Sequence, residues 1–455
     1  STEDGMGITV QTRNDGAQLR RRRALVAGSV GNFIEWYEFG VYGFFATIIA
    51  SNFFSTDGAG DLESLIKTYA SFALAFFFRP VGAALFGRLG DRIGRRPTLV
   101  IVLLLMSGAT TLIGVLPTYA SVGILAPVLL TVLRILQGLS AGGEFGGAVS
   151  VMTEFAPPGR RGLYGSWQSF TVALGLLAGA GIAAVLATVL NSAQLSDWGW
   201  RIPFLLALPM GLVALWLRLR LEETPSFERA RAGQAESTST AATATEAAAP
   251  PIASPSVGDT AKAILLGIGR LMGWSAAGYT FLVVMPTYLQ TSLNASFHQA
   301  LVASVLANAG FALTIPIAGA LSDRIGRRAV MLTGTVLILV LALPLLNILQ
   351  SEQTSLTAKG FAVLAAGAAV GLVAGPGPAM LSEMFPTSVR YTGLGLAYSL
   401  SNAVFSGCAG LIITWLIKET SNLDIPAYFV MATCAVSAIA LSTLRGNAHK
   451  RALVD

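Results

Sequence analysis

Twelve apolar runs, each long enough to cross a bilayer, constrain this chain more than any other feature. They lie near 25–51, 66–90, 97–117, 124–153, 164–190, 201–221, 261–289, 299–322, 329–349, 359–384, 391–418 and 426–444. A helix rises 1.5 Å per residue, so about 20 apolar residues span the hydrocarbon layer. Twelve such runs predict an all-α membrane protein. Only 12% of residues are charged, against about a quarter in soluble domains. That is too few to wet a globular surface, and it excludes a soluble enzyme, a disordered chain or a nucleic-acid binder despite a net charge of +6. Cys408 and Cys434 lie in apolar stretches without a CxxC, and His298 and His449 are far apart. No disulfide framework, metal site or cofactor is therefore expected.

The basic residues give the direction. Residues 1–24 form a polar tail ending in four arginines, Arg20 to Arg23, with no small-residue cleavage pattern after them, so the first run reads as a retained span. With this tail in the cytoplasm, 23 of the 30 Lys and Arg fall on the cytoplasmic side, as the positive-inside rule requires. Residues 229–260 are rich in Ala, Thr, Ser, Glu and Pro, a linker composition. The expected organisation is a cytoplasmic tail 1–24, a six-helix bundle 25–228, a cytoplasmic linker 229–260, a second six-helix bundle 261–444 and a cytoplasmic tail 445–455.

The two halves repeat. Gly87-Arg-Leu-Gly-Asp91-Arg92-Ile-Gly94-Arg95-Arg96 recurs 232 residues later as Gly319-Ala-Leu-Ser-Asp323-Arg324-Ile-Gly326-Arg327-Arg328. Glu154-Phe-Ala-Pro157-Pro-Gly-Arg160-Arg161 recurs 229 residues later as Glu383-Met-Phe-Pro386-Thr-Ser-Val-Arg390. Two matches at nearly one offset mark an internal duplication. In each copy the aspartate suits a neighbouring helix N-terminus, whose dipole favours an anion, and the arginines suit the Glu154 and Glu383 carboxylates. Asp91, Arg92, Arg95, Glu154, Arg161, Asp323, Arg324, Arg327, Glu383 and Arg390 are thus expected to form a cytoplasmic gate between the halves.

These motifs closely resemble the signature loop of the major facilitator superfamily. Four further stretches are similar to its metabolite:proton symporter branch: Gly31-Asn-Phe-Ile-Glu35-Trp-Tyr-Glu38-Phe-Gly40, Arg134-Ile-Leu-Gln137-Gly-Leu-Ser-Ala-Gly-Gly-Glu144, Trp198-Gly-Trp-Arg201-Ile-Pro-Phe204 and Leu221-Glu-Glu-Thr-Pro225-Ser-Phe227. Within that branch, the segment from Gly165-Ser-Trp167 through Glu223-Thr-Pro225, with Met384-Phe-Pro-Thr-Ser-Val-Arg390-Tyr and Pro426-Ala-Tyr428, looks most like proline and glycine-betaine carriers. Alpha-ketoglutarate, shikimate and citrate carriers share most of the motifs. The resemblance implies two pseudo-symmetric six-helix bundles, alternating access, a proton as coupling ion and a monomer in the bacterial inner membrane.

Charges inside the spans need a reason, because each costs at least about 2.5–3.5 kcal/mol at mid-bilayer. Glu35 and Glu38 lie about 15–20 Å from the inner end of the first span, and share a face with Asn32 and Tyr42. Arg134, Gln137 and Glu144 share a face of the fourth span. Either Glu35 or Glu38 is expected to pair with Arg134 until protonation breaks the pair, with Glu144 a second proton-coupling candidate. The resemblance implies that Arg79 binds a substrate carboxylate; pairing with Glu35 or Glu144 is its alternative. Tyr42, Gln137, Gln168, Arg270, Trp274, Tyr279, Tyr398 and Asn402 complete the expected substrate site, the aromatic rings either packing or holding a quaternary ammonium by cation–π attraction. Gly375-Pro376-Gly377-Pro378 is expected to break the tenth span as a hinge.

The leading expectation is a proton-coupled symporter importing a small carboxylate or zwitterion, with a proline/betaine-type osmolyte favoured over an alpha-ketoglutarate or shikimate-type acid. A primary pump would need a Gly-x4-Gly-Lys-[Ser/Thr] phosphate loop, which the sequence lacks. An enzyme would need a nucleophile with its base, or a metal cluster. A non-transporting membrane sensor is the alternative from another class. The small-molecule substrate and the lipid bilayer are the expected partners, without nucleic acid.

Overall fold

The computed structural model describes residues 3–55, 61–93, 95–142, 144–145, 149, 152–153, 156–220, 232–233, 235 and 256–451. All of its regular elements are helical. Among the described residues nine helices are long and apolar enough to cross a membrane, and Leu125–Ala141 is a shorter tenth. The first and seventh runs complete twelve crossings; Glu35, Glu38 and Asn32 in one, and Arg270 with its polar neighbours in the other, reduce their apolar character.

We number the crossings in chain order. In the N-terminal half, α1 comprises Glu3–Phe44, Ala46–Ile49 and a π-helical turn Ala50–Phe54, and α2 comprises Asp61–Phe77 and Arg79–Ile93. They are followed by α3 (Arg95–Ile113), α4 (Leu125–Ala141), α5 (Arg161–Val189) and α6 (Arg201–Leu205 with Ala207–Leu219). In the C-terminal half, α7 joins Val257–Tyr279 to Met285–Leu293 through a π-helical turn Thr280–Val284, and α8 (Phe297–Ile325) and α9 (Arg327–Gln350) follow. Then come α10 (Leu356–Ala374 with Gly377–Glu383), α11 (Thr387–Ser401, a π-helical turn Asn402–Gly407, and Ala409–Thr420) and α12 (Ile425–Ser442). The helix of α1 begins at Glu3, far ahead of the apolar run, so the described part of the polar tail continues the first span as helix. Most of the linker 229–260 lies outside the described residues, and its last four residues, 257–260, already belong to α7.

The breaks follow local chemistry. Pro80 has no N–H to give to the preceding turn, and α2 is interrupted at Phe78, just before Arg79. Gly375 and Pro376 form a turn between the two pieces of α10, at the expected break. Elsewhere small residues let helices touch. Gly138 of α4 lies against the Ala75 backbone of α2, and Gly367 of α10 against the Ala307 backbone of α8. These glycines are 229 residues apart and the alanines 232, the same two offsets as the loop motifs. The duplication therefore governs helix packing as well as the loops.

The halves meet at both ends. On the face carrying Arg92, Arg96, Arg161, Arg327 and Arg328 (the basic face), α5 packs on α8 so closely that a Cβ on Gly319 would lie 2.7 Å from the Gly162 carbonyl oxygen. On the distal face Thr47 of α1 hydrogen-bonds Gln290 of α7 at 3.2 Å. Beside it the rings of Phe45 and Phe297 are 5.5 Å apart. A cavity lies between the halves.

Candidate functional site: a central cavity with buried ion pairs and a basic-face gate

The cavity is a small one of about 40 Å³, lined by α1, α5, α7, α8 and α11. Trp36, Trp274, Tyr279, Phe311 and Tyr398 supply its aromatic walls, and Ser169, Ser275, Asn402 and Ser406 its polar ones; among the described residues lining it none is charged. The π-helical turn in α11 places Asn402 and Ser406 together, and the Ser406 hydroxyl donates to Asn402 Oδ1 at 2.9 Å. Such turns inside α-helices recur at functional sites. Asn402 Nδ2 and the Tyr279 hydroxyl are buried without a hydrogen-bond partner among the described residues. The cavity therefore offers two free donors facing a group of ring faces.

The charges stand behind this wall. Glu35 and Arg79, both buried, form an ion pair at 2.8 Å. The Arg79 guanidinium lies 5.3 Å from the Trp36 ring centroid, 4.6 Å from that of Phe39 and 4.5 Å from that of Phe76. Arg134, wholly buried, has no carboxylate in ion-pair contact among the described residues. It donates instead to Gln137 Oε1 at 2.7 Å and the Phe72 carbonyl at 3.3 Å, with the Tyr42 ring 4.1 Å from its centre. Glu38 is buried and both its oxygens lack a partner among the described residues. The expected pairing of Glu35 or Glu38 with Arg134 is thus corrected. The break before Pro80 brings Arg79 to Glu35, while Gln137, one turn along α4, holds Arg134.

The expected substrate residues divide accordingly. Trp274, Tyr279, Tyr398 and Asn402 line the cavity, whereas Arg79, Tyr42, Gln137, Gln168 and Arg270 are absent from its described lining. Tyr42 is hydrogen-bonded to Ser71, and Gln137 bridges Arg134 and Thr110. Gln168 is buried beside Ser169, and its carbonyl accepts from Asn32 at 3.3 Å. Arg270 turns to α12 and donates to the Ala440 carbonyl at 3.2 Å and to Thr443 Oγ1 at 3.0 Å. A guanidinium near a helix C-terminus is well placed against its dipole, which explains why Arg270 is held away from the cavity.

Two residues of the site were not among those the sequence singled out, although Trp36 lies within the Gly31–Gly40 stretch. Trp36 lines the cavity yet reads as one more aromatic in an apolar span. Arg218 lies in the last turn of α6, in a stretch that reads as loop charge, but it is buried and pairs with Glu144 at 2.6 Å while also donating to the Leu99 carbonyl at 2.8 Å. Its position inside the run 201–221 was the available clue.

At the basic face Asp323 of α8 accepts from the backbone N–H groups of Gly162, at 2.8 Å, and Leu163, at 3.0 Å. These belong to the first turn of α5, so a residue of one half caps a helix of the other. Arg327 pairs with Asp323 at 2.7 Å and with Glu383 at 2.9 Å, and Arg161 crosses from α5 to Glu383 at 3.2 Å. Arg161 also donates to the Arg451 carbonyl at 2.6 Å. Arg92 and Arg324 are exposed and enter none of the described ion pairs. Glu154, and the side chains of Asp91, Arg95 and Arg390, lie outside the described residues.

Twelve crossings in two repeated halves, with a cavity between them and an ion-pair cluster joining them at one face, have the architecture of a membrane transporter. The family model for sugar (and other) transporters matches residues 24–444, and the chain belongs to that family within the major facilitator superfamily. The proline/betaine transporter of Escherichia coli (strain K12) is 35% identical over 434 residues, covering 94% of this chain and 84% of that protein. The ectoine/proline transporter ProP of Corynebacterium glutamicum is 34% identical over 453 residues, covering 97% and 88%. In fold the chain is similar to a solved D-xylose–proton symporter, with a TM-score of 0.74 at 19% identity over 95% of this chain and 99% of that one. A partially occluded, inward-open structure of the xylose transporter XylE from E. coli gives a TM-score of 0.72 at 18% identity, covering 92% and 96%. Family membership makes this chain a multi-pass transporter and not an enzyme.

Proposed function

We propose that this transporter is a proton-coupled symporter importing a small zwitterion of the proline or betaine type. The observation that carries this reading is the described cavity lining: five aromatic residues, free amide and hydroxyl donors, and no charge. A quaternary or secondary ammonium is held by ring faces, and its carboxylate accepts from Asn402 Nδ2 and the Tyr279 hydroxyl. A dicarboxylate would bring two charges to a wall with no cation in it, an expensive burial. The names of the relatives support the same substrate class.

Proton coupling is assigned to Glu35 and Glu38. Protonation of Glu35 releases Arg79, the cation behind Trp36. Glu38, buried with no cation in ion-pair contact among the described residues, is costly as an anion in that position, which suits a group that keeps its proton while the cavity changes sides. Arg134 sets the positive field beside both, and Glu144 is held by Arg218. The proton is the coupling ion, and no cofactor takes part. The Asp323, Arg327, Glu383 and Arg161 cluster, with the equivalent Asp91, Arg95, Glu154 and Arg390, gates the cytoplasmic side, and the 375–376 break lets α10 bend. By the positive-inside rule both termini face the cytoplasm of a bacterial inner membrane, and the unit is a monomer of two bundles joined by 229–260. Thermal-shift competition with glycine betaine, proline, alpha-ketoglutarate and shikimate tests the substrate class. Stabilisation by the two zwitterions alone supports it; stabilisation by a dicarboxylate alone refutes it.

A further inference from the structure

Phe145 lies just past the regular part of α4, which ends at Ala141, and is absent from the described cavity lining. Its ring nevertheless lies flat on that of Tyr398, with centroids 3.6 Å apart and planes 6° from parallel. Tyr398 belongs to α11 in the other half and faces Trp274 across the cavity wall, with ring centroids 6.0 Å apart. The residue before Phe145 is Glu144, fixed to Arg218 at 2.6 Å. Arg218 in turn holds the Leu99 carbonyl at the start of α3. Phe145 is therefore a ring presented from a cross-braced part of one half onto a cavity residue of the other.

From this geometry we infer that Phe145 is a positioning residue for substrate binding: it fixes Tyr398 as a wall of the cavity only while the two halves meet on the basic side. The inference rests on the transport reading above and names a device for release. When the basic ends separate, Phe145 leaves with its own half and Tyr398 loses its flat support. The ring then regains rotamer freedom, so the site loosens on the side where substrate departs. A face-to-face stack is the less favoured arrangement of two aromatic quadrupoles. That suits a contact remade in every cycle, since a stronger one would hold the halves shut.

The test is uptake kinetics in proteoliposomes for Phe145→Ala, Phe145→Leu and Phe145→Tyr, with thermal unfolding to confirm that each variant is folded. Offset or edge-on aromatic pairs contribute about 0.5–1.5 kcal/mol, so losing this face-to-face pair sets a change of about twofold and at most about tenfold. Phe145→Ala and Phe145→Leu should raise KM for glycine betaine by that factor with Vmax nearly unchanged, and Phe145→Tyr should restore it. A fall in Vmax with unchanged KM would mean packing alone, and a Leu variant with wild-type KM would show that the ring is irrelevant; either result overturns the inference. If the wild-type protein takes another solute and ignores betaine and proline, the substrate reading fails. The same KM split, measured with that solute, still decides the role of Phe145.

Discussion

Removing the Asp323 carboxylate should unlock the basic face, and its effect can be worked from the contacts. Asp323 accepts two N–H groups at the start of α5 and touches Arg327, which keeps Glu383 as a second partner after the change. Loss of an N-terminal cap costs about 1 kcal/mol, up to about 2. Loss of the negative charge at a partly buried helix N-terminus adds between about 0.3 and 2 kcal/mol. In the open state both groups meet water, so most of this difference falls on the closed state alone. Asp323→Ala should therefore disfavour closure by about 2–3 kcal/mol, a shift of roughly 30- to 150-fold. Asp323→Asn keeps an acceptor and loses only the charge, so its shift should be smaller, between about twofold and thirtyfold. Spin labels at Ile93→Cys and Ile325→Cys, exposed positions at the ends of α2 and α8, with Cys408 and Cys434 replaced by Ser, report the distance between halves by pulsed electron resonance. A longer-distance population should appear in Asp323→Ala and more weakly in Asp323→Asn. Identical distributions in wild type and Asp323→Ala would refute the claim that this cap holds the gate.

Three further outcomes follow from other parts of the molecule. Glu38→Gln should retain substrate exchange across the membrane yet lose accumulation driven by a pH gradient, measured as radiolabel counterflow against net uptake; full gradient-driven accumulation would remove Glu38 from the coupling. Trp274→Ala should raise KM for betaine by up to about thirtyfold, from a desolvated cation–π contact of about 2 kcal/mol, and Trp274→Phe by less, as uptake kinetics will show. His449, outside the spans, is packed beside Gly326, and its value is lowered by burial and by Arg327 and Lys450, against the opposing pull of Glu383 and Asp323. Its docked form is the neutral one, so its contribution to stability is complete above the ordinary histidine value near 6.5. That contribution is lost as pH falls through the lowered value, so thermal unfolding of wild type should weaken below pH 6.5 more than that of His449→Asn.

The sequence revealed periodic features better than pairings. Apolar length located the crossings, and the 229- and 232-residue offsets, first seen in loop motifs, reappear where Gly138 and Gly367 meet their partner helices. The Asp323 contact with a helix N-terminus was legible because a dipole and an acid at a tight turn leave few other arrangements. The partner of Arg134 was not legible, since depth along a helix says nothing of its rotation. The interruption at Phe78 turns Arg79 toward Glu35, and an uncharged residue, Gln137, occupies Arg134. Arg270 shows the same limit, being at cavity depth but bonded to α12. Arg218 was hidden by its place at the end of a run, where basic residues ordinarily serve topology.

The central claim, proton-driven import of a zwitterion, is tested most directly by accumulation of radiolabelled glycine betaine in proteoliposomes bearing an imposed pH gradient. The account predicts uptake above equilibrium that a protonophore abolishes, and that excess proline inhibits while excess alpha-ketoglutarate does not. Accumulation that survives the protonophore, or that alpha-ketoglutarate inhibits and proline does not, would contradict it.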